Sequence, residues 1–199
     1  MQSVPMQSLS QRPMLPGPKT GHSVPRMSAR LIAFALLLVP AAASADELFT
    51  GALIHGAGTP FSNDIHEGGT DFQLGWRGDR LQALRVIGAP SPHAFVSVNS
   101  AGDTSFAAAG LSWKFGDRIY FRPGIGIAVQ DGPSYRVLYG RRQDLGSRVL
   151  FEPEMSAGVR VTPRVSAEAS WVHVSHAQIF GPQNPGLDTI GVRLVYRLR

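Results

Sequence analysis

From Ile190 to the end of the chain, apolar and other residues alternate. Ile190, Val192, Leu194, Tyr196 and Leu198 take one parity, and Gly191, Arg193, Val195 and Arg197 take the other. Residues 164–171 repeat the pattern, with Arg164, Ser166, Glu168 and Ser170 opposite Val165, Ala167, Ala169 and Trp171. Period two is the mark of strands, because successive side chains leave opposite faces of a sheet. A soluble sandwich buries its apolar face in a core and wets the polar one. A small membrane barrel does the reverse, with lipid outside and a polar interior. Alternation alone does not separate these two architectures.

The first 45 residues of the 199 help to decide. Residues 31–43 are an apolar run behind Arg26 and Arg30, and they lead into the small-x-small stretch Ala43-Ser44-Ala45. Basic, apolar and small residues in that order read as a secretory signal peptide. The run is shorter than the roughly 20 residues a spanning helix needs. Residues 1–45 are therefore expected to be a leader. Met27 is taken as the true start and residues 1–26 as a spurious extension, which leaves 46–199 as the folded domain. Four of the 19 basic residues lie in the leader, and none of the 14 acids does. The remaining excess of one positive charge argues against nucleic acid as a partner. With no cysteine, disulfides and thiolate metal sites are excluded. No later segment is apolar enough for a transmembrane helix.

Strands are expected at 47–56, 69–77, 81–98, 104–115, 118–129, 148–160, 164–175 and 189–198. The third contains Pro90 and Pro92, each of which removes a ladder donor, so a bulge or a shorter strand is expected there. Connections near Gly116-Asp117 and Thr162-Pro163 are short, whereas 57–68, 130–147 and 176–188 are long. This alternation suits the periplasmic turns and extracellular loops of a barrel. The fold class expected is all-β: an eight-stranded antiparallel transmembrane β-barrel of the bacterial outer membrane. Side chains fill a barrel of that size, which argues against transport.

His173 and Ser175 lie two residues apart near the end of the seventh strand, so they share a face and are separated by roughly 6.5 Å along it. They have the parity of Val165, Ala167, Ala169 and Trp171. Asp188 precedes the eighth strand with the parity of Ile190, Val192 and Leu194. All three are therefore expected to face lipid near one membrane surface, where ionisable groups are costly unless paired and functional. The chemistry they suit is hydrolysis. Ser175 Oγ is the nucleophile, His173 takes and returns its proton, and Asp188 fixes the imidazole tautomer. Asn184, Gly181 or backbone amides of 176–187 are the candidates for oxyanion contacts. His176 has the opposite parity and reads as structural.

The segment His173-Val-Ser-His-Ala-Gln-Ile-Phe-Gly-Pro-Gln-Asn-Pro-Gly-Leu-Asp-Thr-Ile-Gly, with Tyr196-Arg197, resembles the lipid A 3-O-deacylase (PagL-type acyloxyacyl hydrolase) family. Gly88-Ala-Pro-Ser-Pro-His93, Ser97-Val-Asn-Ser-Ala-Gly-Asp-Thr104 and Leu145-Gly-Ser-Arg-Val-Leu-Phe151 are also similar to it. The resemblance covers most of 86–199. It implies an outer-membrane barrel that removes an ester-linked 3-hydroxyacyl chain from the lipid A of lipopolysaccharide, with no metal or cofactor. It assigns the family's histidine to His173, its serine to Ser175, its acid (often glutamate) to Asp188, and its oxyanion asparagine to Asn184. Two departures are the aspartate itself and His176, which stands where some members carry asparagine. The C-terminal Leu-Arg199 also replaces a usual aromatic.

Arg136, Arg141, Arg142 and Arg148 lie in or beside the longest loop. They suit either phosphate pairing or an ordinary solvated loop. His55 and His93 read as structural, Asp103-Thr104 as a turn, and Trp76, Trp113 and Trp171 as an interfacial belt. A non-enzymatic barrel for adhesion or membrane integrity is the competing function, and a soluble periplasmic lipid-binding β-protein is a third. Whether the chain forms a homodimer stays open at this point.

Overall fold

A computed structural model describes residues 45–62, 66–132, 143–179 and 184–198. Residues 1–44 of the expected leader, Gly181, Arg136, Arg141 and Arg142 lie outside these residues, and Ala45, expected as the leader's last residue, opens β1. Nine strands occur among them: β1 (Ala45–His55), β2 (Thr70–Gly78), β3 (Ser91–Asn99), β4 (Phe106–Ser112), β5 (Phe115–Gly116), β6 (Ile119–Gln130), β7 (Val149–Arg160), β8 (Val165–Val174) and β9 (Leu187–Arg197). All neighbours pair antiparallel, and the pairings β1–β9 and β4–β6 close the sheet into a barrel. The two-residue β5 continues the line of β4 along β6, so the barrel has eight staves. Closure satisfies the backbone ladders and leaves no long edge.

The third expected strand begins ten residues late. Residues 82–87 form a short 3-10 helix, which ends on the left-handed Gly88. Leu81, Val86 and Ile87 are all exposed there. These apolar residues do not alternate, and the prolines behind them delay the ladder. The expected fourth strand is likewise cut at Ser112 by the break at Trp113-Lys114.

Outward positions are apolar, as at Leu74, Ile125, Ile127, Val192 and Leu194. Inward positions mix Phe49, Leu53, Phe95 and Phe106 with buried charges. Arg77 places a fork on Glu168 at 3.2 and 3.0 Å, and the Tyr120 hydroxyl donates to the same carboxylate at 3.0 Å. Arg193 reaches Glu154 at 2.7 Å and Gln73 at 2.8 Å. Arg122 reaches Glu47 at 2.8 Å. His93 packs inside against Glu152 at 3.2 Å, a structural placement as expected. Buried charges of this kind persist only when paired, and these inward charges meet opposite ones inside the barrel.

One rim carries the start of β1 and the end of β9, and the connections that follow β1, β3, β6 and β8 leave from the other. At this second rim Glu67 ties three connections together. It accepts from the Thr104 amide at 3.0 Å, the Thr104 hydroxyl at 2.9 Å and the Gln143 amide at 2.6 Å. His55 sits between Glu67 at 2.9 Å and Asp71 at 2.8 Å. Asp103 accepts the Gly68 amide at 3.0 Å, so the Asp103-Thr104 turn is also an anchor.

Candidate active site

The β8–β9 register places His173 directly across from Asp188. β9 starts at Leu187, two residues earlier than the alternation predicts, and this brings Asp188 into the ladder. Both side chains have outward parity. His173 Nδ1 lies 2.9 Å from Asp188 Oδ1. A carboxylate only accepts, so Nδ1 carries the hydrogen, and in the neutral ring Nε2 is the nitrogen with the lone pair. Ser175 follows on the same outward face, one residue past β8. Its backbone exchanges two hydrogen bonds with Phe151 of β7, at 2.7 and 3.1 Å.

These outward residues are nonetheless covered. Asp188 is 0% exposed, and His173 and Ser175 are 8% exposed each. The cover comes from the β1–β2 connection. The Ala57 amide donates to the Asp188 carbonyl at 2.9 Å. The Thr59 hydroxyl donates to Asp188 Oδ2, and the Ser62 hydroxyl donates to the Ala57 carbonyl at 3.2 Å within the same connection. The Trp171 indole N–H donates to Oδ1 at 2.8 Å. Its ring stacks on His173, with centroids 5.9 Å apart at 22°. Phe61 lies edge-on to His173 at 6.2 Å and tilted over Trp171 at 5.6 Å. Trp171 is thus a partner of the His–Asp pair and not simply a belt residue.

The β8–β9 connection closes the other side. Ala177 and Gln178 take φ of 50° and 60°, a left-handed turn of two non-glycine residues that is costly in backbone energy. Asn184 Oδ1 accepts the His176 amide at 3.1 Å, which ties the turn back on itself. His176 is fully buried, in keeping with its expected structural role. Gly186 has φ of +69°, and a Cβ there would stand 2.7 Å from His173 Cε1. Phe61, Phe151 and Ile179 expose apolar surface near the site. Arg148 is exposed, with a long contact of 3.5 Å to the Gln130 carbonyl.

The model of the lipid A 3-O-deacylase (PagL) family matches residues 63–197. The chain belongs to this family. It is an ester hydrolase of lipid A and resides in the outer membrane. The crystal structure of the outer membrane enzyme PagL matches with a TM-score of 0.55 at 21% identity, over 76% of this chain and 99% of that one. A structure reported under de novo design of transmembrane β-barrels matches with a TM-score of 0.44 at 10% identity, over 77% and 97% of the two chains. The Yersinia pestis outer membrane protein Ail gives 0.42 at 8%, over 76% and 99%. No curated protein matches the chain by sequence. The family match extends the resemblance upstream to residue 63, and it stops short of Ala57, Thr59, Phe61 and Ser62. Those four residues were missed by sequence reasoning, because a Gly- and Pro-containing loop carries no periodic signal.

Proposed function

We propose that this PagL-family barrel cleaves the 3-O-acyl ester of lipid A by a Ser–His–Asp mechanism at the outer leaflet. The reading is carried by the 2.9 Å contact between His173 Nδ1 and Asp188 Oδ1 on the outward wall. Ser175 Oγ attacks the ester carbonyl as His173 Nε2 takes its proton. The tetrahedral oxyanion then collapses, the proton passes from Nε2 to the leaving sugar oxygen, and an acyl-serine remains. Water activated by the same nitrogen releases the hydroxy acid. Asp188 holds the tautomer and stabilises the imidazolium.

Asn184 suits the oxyanion role through its other end. Its Oδ1 is taken by the His176 amide, which orients Nδ2 as the donating group. With the chain ends on the periplasmic side, the opposite rim meets the leaflet that contains lipid A. The ester then reaches Ser175 laterally, without leaving the membrane.

Ser175→Ala and His173→Ala are expected to lower the rate at which lipid A loses one 3-hydroxyacyl chain by at least about 10³-fold. Mass spectrometry of lipid A from cells expressing each variant reads this directly. Wild-type deacylation by either variant would remove the mechanism.

A further inference from the structure

Asp188 is an outward-facing carboxylate on a membrane wall, and its hydrogen-bonding capacity is met from two directions. Oδ1 receives the His173 Nδ1–H at 2.9 Å and the Trp171 Nε1–H at 2.8 Å. Oδ2 receives the Thr59 hydroxyl. The Thr59 oxygen in turn accepts the Phe61 amide at 3.0 Å, so its own hydrogen is directed at the carboxylate. The Ala57 amide bonds the backbone of the same aspartate at 2.9 Å, which pins the loop where Thr59 is needed. A carboxylate with one histidine contact and a short side chain can still rotate about its final bond. Donors on both oxygens remove that freedom.

We infer that Thr59 and Trp171 are positioning residues of the hydrolysis, which clamp the two oxygens of Asp188 so that Oδ1 stays aligned with His173. The inference rests on the triad reading above. It assigns a role to a loop that precedes the family-matched residues. The clamp acts on His173 orientation during proton transfer, a step felt in turnover and not in substrate affinity.

The test uses the full barrel in detergent with lipid A as substrate. Thr59→Val removes the hydroxyl and keeps the shape. Trp171→Phe removes the indole donor and keeps a ring over His173. Each is expected to lower kcat roughly 10- to 100-fold with KM within about twofold, while Thr59→Ser, which restores the donor, stays within about threefold of wild type. Wild-type kcat in either variant, a loss confined to KM, or a Thr59→Ser variant as impaired as Thr59→Val would overturn the clamp. Heat-modifiable gel migration reports assembly. If Thr59→Val does not assemble, Trp171→Phe decides alone by the same criteria. Asp188→Ala separates the two readings: its full activity would sink the triad itself, whereas its inactivity beside an active Thr59→Val would sink only the clamp.

Discussion

Gly186→Ala adds one methyl group at the point where the β8–β9 connection touches the imidazole. Gly186 has φ of +69°, a region that costs an alanine about 1–2 kcal/mol. The new Cβ would stand 2.7 Å from His173 Cε1 and 2.7 Å from the Phe61 carbonyl oxygen. Ordinary contact begins near 3.4 Å, so something must yield by about 0.7 Å. Behind the ring lies the Trp171 indole, and the Phe61 oxygen is backbone in a loop bonded to Asp188. The imidazole is the freer group, and its rotation lengthens the 2.9 Å bond to Asp188. A displacement of that order costs about 10- to 100-fold in rate, or roughly 1.4–2.7 kcal/mol of transition-state stabilisation. The assay is release of the 3-hydroxyacyl chain from lipid A by the purified barrel, with urea unfolding in parallel. Gly116→Ala is the control, because Gly116 has φ of +100° and a Cβ there would meet the Ile119 carbonyl at 2.4 Å, at the far rim. It is expected to be destabilised yet keep the kcat/KM of its folded fraction. Wild-type kcat/KM in Gly186→Ala, or equal loss in Gly116→Ala, would refute the reasoning.

Glu168→Ala leaves Arg77 without its fork and Tyr120 without its acceptor inside the lumen. The expected cost is about 3–5 kcal/mol, seen as a lower urea midpoint; an unchanged midpoint would mean that water replaces the pair. Burial pushes the Glu67 carboxyl upward, but hydrogen bonds from His55, Thr104 and Gln143 outweigh it and hold the group below its usual value. Its stabilisation is therefore complete above the unfolded value of about 4.3 and is lost as pH falls through the lower folded one. Hydrogen-exchange protection of the Thr104 and Gln143 amides, corrected for the intrinsic pH dependence of exchange, should fall as acid protonates Glu67, and protection that stays unchanged down to acid unfolding would contradict the anchoring role.

The staves were legible because lipid and lumen impose opposite polarity on alternate residues. Val165 to Trp171 shows the parity, and His173 and Ser175 inherit it, so their outward direction follows from counting by two. At 81–90 the shorter strand expected from Pro90 and Pro92 is what forms, but its start was not readable, because Leu81, Val86 and Ile87 are apolar without alternating. The alternation also placed Asp188 just outside the ladder, since a charge at a strand end resembles a loop residue. Thr59 and Phe61 left no trace at all. Their contacts form between positions more than 100 residues apart, and a threonine in a Gly–Pro loop looks the same whether or not a carboxylate awaits it. Trp171 was half readable: its parity puts it beside His173, but only the folded register shows its N–H on Asp188.

On the proposed mechanism, the location of the dyad at a rim answers two demands of ester hydrolysis in a membrane. The acyl ester arrives from lipid, whereas the water that releases the acid arrives from outside it. At mid-barrel, an aspartate on the outer wall would face hydrocarbon with no donors but side chains of the neighbouring strand. At the end of β8 the wall is close enough to a connection for that connection to fold over it. Thr59 and Ala57 then supply the hydrogen bonds that water would otherwise provide. The same cover leaves Phe61 63% exposed, so the surface beside His173 stays apolar toward the acyl chains while the carboxylate beneath is fully paired. Hydrogen-bonded cover below and an apolar surface above let a charged site sit on a lipid-facing wall. Both depend on six residues of loop between Ala57 and Ser62.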